Sequence, residues 1–71
     1  MTRSEHIAWC KERAHAELTY SHDPKQGITS MMSDLRKHTE TNSELLAMLC
    51  IAELRKNPTE AQARKFIDGF N

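Results

Sequence analysis

Glycine and proline are scarce in this chain, two of each in 71 residues, and aromatic residues make up only 6%. With Gly27 and Gly69 as the only glycines, no glycine-rich loop is present to cradle a phosphate. Cysteine is equally thin: Cys10 and Cys50 are too few for a disulfide scaffold. Each falls on the apolar part of an expected helix, where a free thiol behaves as a small hydrophobe, so a reduced, cytosolic chain is expected. No apolar run of signal-peptide type opens the sequence, because charged and polar residues crowd the first six positions. An excess of charge of either sign is also missing. Lys plus Arg and Asp plus Glu number ten each, so no net field draws the chain to phosphate or anionic lipid. That balance counts against a nucleic-acid domain and favours self-association. The histidines His6, His15, His22 and His38 add positive charge only as pH falls through about 6.5. Strand-like alternation and low-complexity segments are absent.

What the chain does have is one apolar concentration, Leu45-Leu46-Ala47-Met48-Leu49-Cys50-Ile51-Ala52-Glu53-Leu54, in which only Glu53 is polar. On a helical wheel these residues point in nearly every direction, and a helix apolar all round must be covered on several sides. The run is too short for a membrane span, which needs about 20 such residues. The expectation is a single domain over residues 1–71, all-α: a compact four-helix fold around a central apolar helix at about residues 44–56.

The remaining segments supply the other three helices. Thr2-Arg3-Ser4-Glu5 has capping-box spacing, and helix 1 runs from there to about Tyr20. Its core stripe is Ile7, Cys10, Ala14 and Leu18. Asp23-Pro24-Lys25-Gln26 restarts the chain as a helix, with Asp at the cap and Pro at the first position. Helix 2, about Pro24 to His38, carries the stripe Ile28, Met31, Met32 and Leu35. Gly27 weakens its first turn by up to about 1 kcal/mol relative to Ala, or permits a close helix crossing. Thr39 to Ser43 is a polar linker in which Thr41 and Glu44 have box spacing. Asn57-Pro58-Thr59-Glu60 repeats the cap-Pro pattern before helix 4, whose apolar face is Ala63, Phe66, Ile67 and Phe70. Gly69 reads as the residue just past that helix, with Phe70 folding back.

Candidate chemistry is sparse. His6 and Cys10 stand four apart and share a helix face, but a zinc site needs three or four ligands and no second close pair completes this one; no metal and no cofactor are expected. A nucleophilic cysteine needs a base and an electropositive, partly exposed setting; Cys10, with His6 and Arg13 nearby, only suggests this, and no enzyme is expected. Helices 2 and 3 have nearly the spacing of a helix-turn-helix, yet the second helix of that motif must expose polar residues to base edges, and helix 3 is almost wholly apolar. The positive hint is a second line on helix 1, Trp9, Arg13, Ala16 and Tyr20. Trp, Tyr and Arg dominate interface hot spots, and Ala leaves room for a partner. The alternative is that Trp9 and Tyr20 cap the edge of the fold, with Arg13 stacked between them.

Three segments carry a resemblance: Ser4 to Ala14 (SEHIAWCKERA), Ser30 to His38 (SMMSDLRKH) and Arg64 to Asn71 (RKFIDGFN). They are similar to a group of short proteins encoded by bacteriophages, particularly phages of actinobacteria. In that group a Pro often follows the Lys-His pair; Thr39 stands there in this chain, a departure expected to lengthen helix 2 slightly. The resemblance implies a phage origin and the host cytoplasm as location, and brings no catalytic residues. Small non-structural phage proteins often bind a host or phage protein. The expected function is therefore an interaction module that docks a host or phage protein, or a second copy of itself, through Trp9, Arg13, Ala16 and Tyr20. The alternative is a small nucleic-acid-associated regulator using Arg36, Lys37, Arg55, Arg64 and Lys65.

Overall fold

Each helix begins where a side-chain oxygen meets amides that have no partner within the helix. A computed structural model describes residues 2–70; Met1 and Asn71, the last residue of the third resembling segment, lie outside the described residues. α1 (Arg3–Ser21) starts with the expected capping box. Thr2 Oγ1 accepts from the Glu5 amide at 3.1 Å, and Glu5 Oε1 accepts from the Thr2 amide at 3.0 Å. The Thr2 amide foremost, and then the Thr2 side chain, hold the Glu5 carboxyl below its ordinary pKa. α1 ends at His22, which is left-handed (φ 55°) and returns its amide to the Leu18 carbonyl at 2.8 Å. α2 (Pro24–Leu35) opens on Asp23, whose Oδ1 accepts from the Lys25 amide at 3.0 Å.

α2 stops three residues short of the expected His38. The residues that follow are drawn into tertiary contacts: the His38 ring stacks on His6, centroids 5.0 Å apart. The buried Thr41 hydroxyl donates to the Leu35 carbonyl at 2.6 Å, capping the helix end from outside. Because Thr41 is used there, α3 (Glu44–Arg55) takes Ser43 as its cap instead of the Thr41–Glu44 box. α4 (Glu60–Asp68) is likewise capped by Thr59 and Gln62 rather than from Asn57. Asn57 serves the end of α3, left-handed at φ 51° with its amide 3.3 Å from the Leu54 carbonyl. Gly69 is right-handed (φ −76°), not the left-handed residue expected there. Phe70 nevertheless folds back, buried, its ring edge-on to Phe66 at 5.1 Å.

The four-helix, all-α architecture is present, and among the described residues there is no strand. Its centre is not α3. α2 packs against each of the other three helices, and α4 lies across both α1 and α2. The interior is made by Ile7, Cys10, Ala14 and Leu18 of α1, Ile28, Met31 and Leu35 of α2, and Ala63, Ile67 and Phe70 from the α4 end. α3, packed mainly on α2, contributes only Cys50 to the fully buried set. The expected central post is thus corrected to an outer helix: the stripes of α1, α2 and α4 bury one another and leave α3 one side to rest on. Loose packing is not the cause. The accessible surface of 4619 Å² is close to the ~4,500 Å² that a folded monomer of this mass presents.

Gly27 permits the close crossing. A Cβ built on it would lie 2.5 Å from Leu18 Cγ and 2.8 Å from Leu18 Cδ2, and Leu18 is fully buried. Gly27→Ala gains up to about 1 kcal/mol of helix propensity but incurs an overpacking cost of about 1–3 kcal/mol. The expected result in urea unfolding is a net loss of about 1 kcal/mol; a net gain would contradict a tight crossing.

Candidate functional site

The polar chemistry gathers on one seam. Asp34 lies one turn beyond Met31 on the stripe of α2 that faces α1, so its carboxylate is buried, with 3% of the side chain exposed. Arg13 Nε donates to Asp34 Oδ2 at 2.8 Å, and Lys37 Nζ reaches Oδ1 at 3.0 Å. The Asp34 carbonyl accepts from the Lys37 amide at 3.1 Å and from His6 Nε2 at 2.8 Å. A carbonyl can only accept, so Nε2 of His6 carries a proton, and Cys10 Sγ, 3.4 Å from the same nitrogen, can only be its acceptor. Trp9 covers this knot. Its ring stacks on His6 at 5.5 Å, and the Arg13 guanidinium lies 4.8 Å from its centroid, with Lys37 Nζ at 5.7 Å.

This geometry ties His6 and Cys10 into the fold. Burial pushes the Cys10 thiol up to about 11, and the Asp34 carboxylate adds to the effect. Burial alone does the same at Cys50. Both thiols are thus held in the protonated form near neutral pH, and neither is poised as a nucleophile. Among the described residues no three His, Cys, Asp or Glu side chains gather in a way that could hold a metal ion.

The line Trp9, Arg13, Ala16 and Tyr20 is divided by the same geometry. Trp9 is half-buried against the core and Arg13 is held by Asp34, while Ala16 is exposed and Tyr20 is 88% exposed. The basic residues are divided too. Lys37 is committed to Asp34, and Arg64 donates to His15 Nδ1 at 2.9 Å and to Thr19 Oγ1 at 3.1 Å. His15 in turn meets Asp68 Oδ1 at 2.7 Å, so this second polar seam fastens α4 to α1. Arg36 follows the end of α2, Arg55 ends α3 and Lys65 lies on α4; the five do not share one element or one face of one helix.

The largest apolar exposure is on α3. Leu45, Met48, Leu49 and Ile51 are 66%, 65%, 46% and 39% exposed. At 100° per residue these four and Ala52 occupy one outward arc of the helix. Arg55 joins Met48, Ile51 and Ala52 around a groove on one side, and Leu49 joins Lys65, Phe66 and Phe70 around another toward α4. From the sequence, three stripes need not cover this helix fully and a dimer could bury the remainder, but a run apolar on all sides carries no periodic signal of which side stays open. Sequence reasoning missed Asp34 although the signal existed: an acidic residue between Met31 and Leu35, on the core stripe, needs a buried partner.

Among the described residues no helix is long and apolar enough to cross a membrane. No protein-family model, curated protein or solved structure matches the chain.

The α1 line can be tested by stability. Trp9→Ala is expected to cost about 1.5–3 kcal/mol in urea unfolding, because the ring shields the Asp34 knot. Tyr20→Ala should stay within about 0.5 kcal/mol. Equal, negligible effects would contradict the structural role of Trp9.

Proposed function

We propose that the chain is a protein-interaction module, without catalytic function, that docks through the outward arc of α3. The observation that carries this reading is the contiguous exposure of Leu45, Met48, Leu49 and Ile51 on a single helix. Together they present on the order of 400 Å² of apolar surface, within the range where patches on a monomer are often functional. The flanking Arg55, Lys56 and Lys65 supply the polar rim that interfaces carry. The ionisable groups of the α1–α2 seam support the reading from the other side, since each satisfies a partner within the fold. This moves the docking face from α1 to α3: of the α1 line, only Tyr20 offers a large exposed ring. In this reading the module is a phage-type protein acting in the cytoplasm of an infected host, and the occupant of the arc is a host protein, a phage protein or a second copy.

Photo-crosslinking reads the face directly. With Met48→p-benzoylphenylalanine, ultraviolet irradiation of expressing cells is expected to give a discrete protein adduct of defined mass. The same replacement at the exposed Glu12 should give several-fold less. Equal labelling at both positions, or none at position 48, would overturn the assignment of α3 as the docking face.

A further inference from the structure

The arc on α3 has a polarity that selects its occupant. Glu44 stands at its N-terminal end, and Arg55 and Lys56 stand at its C-terminal end. We propose that the occupant is a second copy of this chain, its α3 laid antiparallel on the first about a two-fold axis. The proposal rests on the reading of α3 as the docking face and names what covers it.

A two-fold interface places the same patch on both partners, so the patch must complement itself. An antiparallel register centred beside Cys50 meets that condition along the whole arc. It sets Met48 of one copy in one layer with Ala52 of the other, Leu49 against Leu49 and Ile51 against Ile51 along the two edges, and Leu45 over the aliphatic stem of Lys56. Glu44 then stands against Arg55 of the other copy at both ends. Ala52, with its small side chain, lets the helices approach at the level where Met48 needs room. The helix dipoles oppose in this arrangement and favour it further. A parallel pairing would instead set Glu44 beside Glu44 and Arg55 beside Arg55. A chain with ten basic and ten acidic residues also has no net charge to hold two copies apart.

Area sets the size class of such an interface. The four exposed side chains, with Ala52 and the stems of Arg55 and Lys56, amount to roughly 600 Å² per copy, or about 1,200 Å² in total, the low end for a specific interface. An interface at that lower limit is expected to be weak and reversible.

Sedimentation velocity of the full chain over about 1 µM to 1 mM tests this. The expected result is a shift from a species of 8.2 kDa to one of twice that mass. Met48→Glu, at a site already open to water, is expected to leave the helical circular dichroism unchanged and keep the chain monomeric throughout. Glu44→Lys and Arg55→Glu should each weaken the dimer several-fold, and the double variant should recover most of the loss. A wild-type chain that stays monomeric at 1 mM would overturn the proposal, as would a dimer that survives Met48→Glu or a charge swap without recovery. A monomer that still gives a discrete adduct from position 48 with another protein would leave α3 as the docking face and remove only the second copy.

Discussion

The close passage of α2 over α1, with Gly27 against Leu18, determines where everything else can go. Because a glycine stands at the crossing, the two helices bring Ile7, Cys10, Ala14 and Leu18 directly onto Ile28, Met31 and Leu35. α4 then closes this pair with Ala63, Ile67 and Phe70. Three helices are enough to complete an interior in a chain of 71 residues, a length at which one core is already small. The most apolar helix is left outside, resting on Cys50 with its opposite arc in water.

Around that crossing the polar contacts fix register more than they add stability. Asp34 accepts two cations while its carbonyl holds His6, and Trp9 roofs the group. A shift of α2 by one turn along α1 would strand a buried carboxylate, which is far more costly than losing any surface ion pair. The seam of Arg64, His15 and Asp68 does for α4 what Asp34 does for α2, in a more exposed setting. His22 adds a third tie, from the end of α1 to Glu60 at the start of α4. The pairs Arg13–Asp34, His15–Asp68 and His22–Glu60 thus run between elements and tie the helices together.

Local chemistry was readable wherever local geometry decided the outcome. The Thr2–Glu5 box, the Asp23-Pro24 start and the stripes of α1, α2 and α4 follow from spacing and capping alone, and the structure contains them. The readings that changed were those settled by distant parts of the chain. Thr41 left its expected cap to close the end of α2, and His38 left the helix to stack on His6. Asn57 looked like the cap of α4 but completes α3, because a left-handed residue there ends one helix before Pro58 can lead to the next. α3 is the clearest case. Its composition says that it needs cover, while only the three-dimensional fit of the other helices says that the chain supplies cover on one side. The candidate docking surface lay in that difference.

Placing α1 and α2 at the centre, with α3 peripheral, is the claim on which the interaction reading stands. Residue-resolved amide hydrogen exchange in dilute solution, where one copy is present, tests it most directly. The slowest amides are expected in α1 from Cys10 to Leu18 and in α2 from Ile28 to Leu35, at the rate of global unfolding, with those of α3 exchanging through cheaper local opening. If the slowest amides in the chain lay instead between Leu46 and Ala52, α3 would be the core and the account would be wrong.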